Sequence, residues 1–125
     1  MQSSRFIEHD GKQILLQDFS HVLEMESALA AVAEARRFVQ ELSAASGSKL
    51  ELLILTDVEG SNFDSHVIDA IKELAVHHRP HARASAVIGL TPLKRVVLRL
   101  IVIFSQRKVA PFETREQALG WLVAQ

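Results

Sequence analysis

Residues 50–56, Leu-Glu-Leu-Leu-Ile-Leu-Thr, form a nearly continuous apolar run near the middle of the chain. A strand that is apolar on both faces is typical of a sheet covered by helices on both sides, as parallel strands usually are. The preceding residues, about 25–45, are rich in alanine and place Ala31, Ala35, Phe38 and Leu42 at helical spacing. A long amphipathic helix followed by a buried strand predicts an α/β domain whose sheet is partly parallel.

The segments on either side extend this pattern. Toward the N-terminus, Asp10-Gly11 is a turn pair that accepts positive φ cheaply, and it separates two apolar stretches, which predicts an opening β-hairpin. Toward the C-terminus, helices and strands are predicted to alternate. A helix starts near residues 61–64 and ends before Pro80, and a strand follows at 84–89. A helix at 93–105 comes after Thr91-Pro92, then a strand at 108–112, and the capping box Thr114-Arg-Glu-Gln117 opens a last helix. The predicted order is β-β-α-β-α-β-α-β-α, a mixed sheet with helices packed over it.

The composition fits one ordinary globular domain spanning residues 1–125. Hydrophobic residues make up 48% and charged residues 23% of the chain, which argues against disorder. There is no cysteine, which excludes disulfides, thiolate nucleophiles and cysteine-based zinc sites and favours a reducing compartment. Because the first residues lack the basic and apolar pattern of a secretory signal, we expect a cytoplasmic protein.

Charge is divided unevenly along the chain, although the formal net charge is only -1. Residues 1–78 hold 13 acidic and 6 basic side chains, whereas residues 79–125 hold 2 acidic and 8 basic ones, and residues 83–112 contain no acid. The basic half could form a face for an anionic ligand or an acidic partner. The alternative is that the fold interleaves the two halves so that their charges cancel.

Two local sequences add to the element order: Ala86-Val-Ile-Gly89 before a basic, apolar helix, and the ending Val109-Ala-Pro-Phe-Glu-Thr-Arg-Glu-Gln-Ala-Leu-Gly-Trp-Leu122. Together they resemble the SpoIIAA-like STAS/SEC14 family of small bacterial proteins, and more broadly the STAS fold of anti-sigma-factor antagonists. The resemblance spans nearly the whole chain. It implies a STAS-like α/β fold and a non-enzymatic cytosolic module that binds a protein or a small ligand.

Anti-sigma-factor antagonists of the STAS type carry a phosphorylatable serine at the start of the second helix, in the context Asp-Ser-Ser-Gly. Here Asp57 ends the strand, and Asp64-Ser65 follow with His66-Val67 in place of Ser-Gly. The resemblance therefore implies Ser65, with Asp64 and Asp57, as a candidate phosphorylation and regulatory site. The alternative is that Asp64, Ser65 or Ser61 only caps the helix.

No pattern for catalysis, metal binding or nucleic-acid binding is complete. In His77-His78-Arg79-Pro80-His81 the helix ends before Pro80, so no two histidines form a helical i,i+4 pair, and no nearby acid completes a ligand set; we expect no metal. Gly60 and Gly89 stand isolated and no Gly-x-Ser-x-Gly occurs, which argues against phosphate-loop, dinucleotide and serine-hydrolase sites. Few aromatics accompany the basic residues, which argues against nucleic-acid binding. We therefore expect no catalytic residue, no cofactor and no enzyme.

The helix predicted at residues 93–105 is unusually apolar, since Lys94, Arg95 and Arg99 are its only charged residues. It is too short to span a bilayer. Four uses remain open: a buried core helix, a homodimer face through Val97, Ile101 and Phe104, a partner groove, or a peripheral membrane contact.

The start of that helix is also a candidate anion or ligand site. Helix N–H groups after Gly89-Leu-Thr91-Pro92 point outward beside Lys94, Arg95 and Arg99. Our first hypothesis is a STAS-like binding or regulatory module that acts on a protein partner, a second copy or a small ligand. The alternative is a carrier of a lipid or another apolar anion, or a peripheral membrane protein, with Arg95 and Arg99 at the head group.

Overall fold

A computed structural model describes residues 3–125. Its strands and helices follow the predicted order, with one short 3-10 turn added after the second helix. The elements are β1 (Ser4–His9), β2 (Lys12–Asp18), α1 (Met25–Ser46), β3 (Leu52–Asp57), α2 (Ser65–His78), the 3-10 turn (Arg79–His81), β4 (Ala82–Ile88), α3 (Pro92–Ser105), β5 (Val109–Phe112) and α4 (Arg115–Val123).

The five strands form one mixed sheet in the order β1-β2-β3-β4-β5. The opening hairpin pairs β1 and β2 antiparallel across the turn at Asp10 and Gly11, which both have positive φ. The pairs β2–β3, β3–β4 and β4–β5 are parallel. The apolar run of residues 50–56 therefore forms the central strand, as its composition predicts.

The two faces of the sheet are covered unequally. On one face, Leu16, Leu53 and Leu55 pack against α4 through Leu119 and Leu122. On the opposite face, which we call the inner face, the sheet packs against α1, α2 and α3 through a second set of apolar side chains, among them Phe19, Val32, Val58, Leu74, Val87 and Leu98. The inner face carries the features that bear on function.

Three helices begin at the side-chain caps that their sequences predict. Asp64 accepts the Val67 N–H at 3.0 Å, Thr91 accepts the Lys94 N–H at 3.2 Å, and Thr114 accepts the Gln117 N–H at 3.2 Å. Such a cap contributes about 1 kcal/mol because it satisfies a backbone donor that the helix cannot. The caps fix where α2, α3 and α4 leave the strand ends.

The junction between β4 and α3 depends on Gly89. Its φ is +83°, and a Cβ atom there would lie 2.4 Å from the backbone nitrogen of Glu59. The Val58 N–H donates to the Ile88 carbonyl at 3.0 Å in the same region. Glycine therefore lets the β3–α2 loop approach closely, and this contact places the start of α3 over the inner face.

Candidate functional site

A cavity of about 480 Å³ lies between the inner face of the sheet, α2 and α3. Its size is within the range of about 300–1,000 Å³ that is usual for small-molecule sites. Most of its walls are apolar, formed by side chains that include Phe19, Val58, Phe63, Ile68, Ile71, Leu74, Val87, Leu90, Val97, Leu98, Ile101 and Val109. The core helices therefore do not close completely over the sheet.

The floor of the cavity contains a line of polar side chains. Gln17, Thr56 and Ser85 stand at inward-facing positions of β2, β3 and β4, which are neighbours in the sheet. The Thr56 hydroxyl donates to the Gln17 Oε1 atom at 3.2 Å, and the Gln17 Nε2 atom lies 2.7 Å from the Nε2 atom of His78 on α2. A hydrogen-bonded chain thus runs from the sheet to α2.

His78 is buried and stays neutral at physiological pH. Burial, and then the charge of Arg107, lower the pKa of His78 from 6.5 to about 3. A neutral ring accepts at one nitrogen and donates at the other. We assign Nε2 as the acceptor for the Gln17 amide, so Nδ1 carries the hydrogen and faces His77 Nδ1 at 3.1 Å. Both ring nitrogens are then occupied.

Arg107 brings the one permanent charge at this end of the cavity. Gln106 ends α3 with a φ of +55°, and the Ser85 N–H donates to the Lys108 carbonyl at 2.9 Å, so the chain turns back beside β4. The guanidinium Nη2 donates to the Ser85 hydroxyl, whereas the buried Nε–H has no acceptor. Burial lowers the pKa of Arg107 to about 10, which leaves it protonated at neutral pH.

No carboxylate within residues 3–125 pairs with Arg107. The ion pairs of the described residues involve other groups, such as Arg83 with Glu51 and Arg115 with Asp57, each at 3.6 Å. A buried cation without an acidic partner is costly, because its lost hydration is not replaced by an opposite charge. The cavity therefore holds an uncompensated positive charge.

Lys94 lies at the other end of the cavity, near the exposed Leu93. Its Nζ atom donates to the Val58 carbonyl at 3.0 Å and lies 5.6 Å from the centre of the Phe63 ring. Burial lowers the pKa of Lys94. Lys94 is thus held by the protein's own carbonyl.

The structure separates the residues of the predicted anion site. Thr91 and Lys94 line the cavity, and Gly89 serves the close loop contact described above. Arg99 is exposed, and neither it nor the partly buried Arg95 lines the cavity. The Thr91 hydroxyl already occupies one free N–H of the α3 N-terminus. The predicted residues therefore do not converge on one anion.

The predicted regulatory residues have separate surroundings. Asp64 caps α2, and Ser65, the first residue of that helix, is exposed. Asp57 is buried, accepts the Glu59 N–H at 3.0 Å and pairs with Arg115. Helix capping by Asp64 is thus observed, and phosphorylation of Ser65 stays a prediction.

The predicted interface on α3 is divided between the two sides of the helix. Val97 and Ile101 line the cavity, and Ile101 is only 7% exposed, so these two residues are not free to meet a partner. Phe104 is 60% exposed and lies under the ammonium of Lys72. The outward apolar side chains are Leu93, Val96, Leu100, Ile103 and Phe104, which we call the outer row of α3.

Sequence reasoning missed Gln17, Thr56, Ser85, His78 and Arg107 as one group. Two of them carry a signal that could have found them: Gln17 and Ser85 interrupt strands that are otherwise apolar and are predicted to be buried. Arg107 had no local signal, because it follows a helix like many solvated arginines. Its position depends on the turn at Gln106, which a single sequence does not specify.

Two further features of residues 3–125 concern metal binding and membrane insertion. Within residues 3–125, no group of three or more histidine or acidic side chains is arranged to hold a metal ion. The ring of His77 lies tilted against the rings of His78 and His81, with centroids 5.2 and 5.8 Å away. None of the helices in that range has both the length and the apolar character that a transmembrane helix needs.

Comparison with known proteins supports the fold. No protein-family model and no curated protein matches the chain. A solved structure that matches is that of an uncharacterised protein of the DUF3478 family with a SpoIIAA-like fold, from Shewanella loihica PV-4. The two chains are 20% identical and superpose with a TM-score of 0.71, over 95% of this chain and 91% of the other. The chain therefore has a SpoIIAA-like, STAS-type α/β fold, which confirms the predicted resemblance at the level of fold.

Proposed function

We propose that this protein is a non-catalytic, cytoplasmic STAS-like binding module that encloses a small apolar ligand with an anionic group. The observation that carries this proposal is the largely buried side chain of Arg107, which borders an apolar cavity and has no carboxylate partner in residues 3–125. An anionic group on the ligand would supply the missing charge. The apolar walls would take up the rest of the molecule.

The energetics favour a ligand that has both parts. A charge that loses hydration without gaining an opposite charge is unfavourable, and an incoming anion would remove part of that cost. Apolar surface contributes about 25 cal/mol for each Å² removed from water, so the hydrophobic walls favour an alkyl or aryl group. A purely ionic ligand would leave those walls bare, and a purely apolar one would leave Arg107 unpaired.

Binding without catalysis is supported by what the polar groups of the cavity contact. A serine nucleophile needs a base that can take its proton. Ser85 instead meets the protonated guanidinium of Arg107, and Thr56 donates to an amide oxygen. His78, the one imidazole joined to this group, has both ring nitrogens engaged with Gln17 and His77.

Native mass spectrometry of gently purified protein tests the proposed function. We expect a ligand adduct of small mass that disappears when the protein is sprayed under denaturing conditions. Arg107→Gln should lower the adduct fraction several-fold, whereas Arg83→Gln removes an exposed arginine and should leave it unchanged. A clean unliganded mass, together with no binding of added decanoate or decanol, would remove the proposal.

We propose as a second function that the outer row of α3 touches an anionic membrane surface. Leu93 and Ile103 are each 74% exposed, and Arg95 and Arg99 stand on the same helix in a segment without acids. Basic residues above an apolar row suit anionic lipid head groups.

A further inference from the structure

We infer that the ligand's anionic group is a single carboxylate, bound at the Arg107–Ser85 end of the cavity with its apolar tail directed along α3 toward Lys94. This inference rests on the proposed function, because it specifies the ligand of the same cavity. It makes three separate claims, on the charge of the head group, on its hydrogen bonds and on its orientation.

The charge at this end of the cavity limits the charge of the ligand. Arg107 contributes one positive charge, and the neighbouring His78 is held neutral by burial. A monoanion brings the buried total to zero. A phosphate monoester carries nearly two negative charges near neutral pH, so it would leave one of them buried without a partner, at a cost of several kcal/mol.

The available hydrogen-bond donors suit a planar head group. Arg107 lines the cavity, and a guanidinium can bind a carboxylate through two parallel hydrogen bonds. The Ser85 oxygen accepts from Arg107, which leaves the Ser85 hydroxyl hydrogen free to donate to the same ligand. Gln17 and Thr56 are neutral and bond to each other, and the Gln17 amide also bonds to His78, so these two side chains add no competing charge.

A carboxylate head group would gain less at the Lys94 end of the cavity than at the Arg107 end. The Lys94 ammonium is bonded to the Val58 carbonyl, lies near the Ser61 hydroxyl at 3.5 Å, and stands beside exposed Leu93. A carboxylate bound at Lys94 would have to displace the hydrogen bond to the Val58 carbonyl, at a position beside the exposed Leu93. Between the two ends, the inner side of α3 presents Val97, Leu98 and Ile101. Because 14 residues of helix span about 20 Å, this side offers room for an extended tail.

Calorimetric titration of ligand-free protein with decanoate, decyl phosphate and decanol at about pH 8 tests the inference, since the phosphate is then largely a dianion. We expect decanoate to bind at least about tenfold more tightly than either of the other two, in line with the strength of charged hydrogen bonds. Arg107→Gln should reduce the preference for decanoate over decanol to about twofold or less. Arg107→Lys keeps the positive charge but not the two parallel hydrogen-bond donors of a guanidinium, and it should retain an intermediate preference for decanoate.

The outcomes separate the inference from the proposed function. If decanol binds as tightly as decanoate, or decyl phosphate binds more tightly, the cavity is a ligand site and the carboxylate inference is wrong. If Lys94→Met removes the preference and Arg107→Gln keeps it, the orientation is wrong. If none of the three compounds binds, the proposed function fails as well. Arg99→Gln, an exposed substitution with the same loss of charge, should behave like the wild type.

Discussion

His78 is a histidine that the fold keeps from gaining a proton. It is fully buried on α2, and its neighbours are the amide of Gln17, the ring of His77 and the charge of Arg107. Protonation would place a hydrogen on Nε2, where the Gln17 amide already donates, beside an existing positive charge. The same arrangement that leaves Arg107 as the one charge at this end of the cavity therefore makes His78 sensitive to acid.

We expect the protein to lose stability in acid through His78. Its pKa is about 3 in the folded chain and 6.5 when unperturbed, so below pH 6.5 the unfolded chain binds a proton that the folded chain does not. Stability then rises with pH, by about 1.4 kcal/mol per pH unit across this window, or on the order of 3 kcal/mol between pH 6.5 and about pH 4. Urea unfolding at a series of pH values measures this slope.

The variant His78→Gln should be less stable at neutral pH, because it loses packing, but its acid slope should be flatter than that of the wild type. His66→Gln, at an exposed position on the same helix, is the matched control and should keep the wild-type slope. Equal slopes for wild type and His78→Gln would show that another group is responsible for acid sensitivity.

At the scale of the elements, most of the fold could be predicted because the signals are local. Thr91-Pro92 and Thr114 set helix starts through caps formed within four residues, and the run at 50–56 needs only its composition to indicate a central strand. Which side of α3 faces the cavity could not be predicted in the same way. Val97, Ile101 and Phe104 are all apolar, and only the packing of α3 beside α2 turns the first two toward the cavity. The site depends on such distant contacts, so its residues were largely missed.

The outer row of α3 should mediate contact with anionic membranes. We expect the protein to sediment with phosphatidylglycerol vesicles and much less with phosphatidylcholine vesicles, and to be released by salt, because its basic residues attract the anionic surface. The double variant Leu100→Glu with Ile103→Glu should reduce the bound fraction at least several-fold, since both side chains are exposed and face outward.

Leu23→Glu is the control for that experiment, because Leu23 is 67% exposed but lies outside α3. It should sediment like the wild type. Equal binding to both vesicle types would contradict the electrostatic part of the proposal. A stable dimer in light scattering that dissociates in the α3 double variant would overturn it, by assigning the outer row to a second copy.

For the whole molecule, the cavity is a source of instability in the ligand-free state. The sheet, α2 and α3 enclose apolar space beside a largely buried cation, whereas the opposite face of the sheet is closed by α4 through Leu119 and Leu122. A domain of this size has a free energy of unfolding of only about 5–15 kcal/mol, so one uncompensated buried charge is a considerable fraction of it. Binding and stability are therefore coupled, because any ligand that binds only the folded state stabilises it.

This coupling predicts that removing the charge stabilises the empty protein. The double variant Arg107→Met with Ser85→Ala replaces both hydrogen-bonded partners by apolar groups, and we expect its Tm to exceed that of ligand-free wild type by about 3 °C or more. Added decanoate should raise the Tm of the wild type but not that of the double variant. The difference between the two Tm values should therefore shrink or change sign at high ligand concentration. Arg99→Met removes an exposed charge and should change the Tm by about 1 °C or less. Differential scanning calorimetry measures each of these Tm values, and a double variant less stable than the empty wild type would show that Arg107 stabilises the fold and is not held for a ligand.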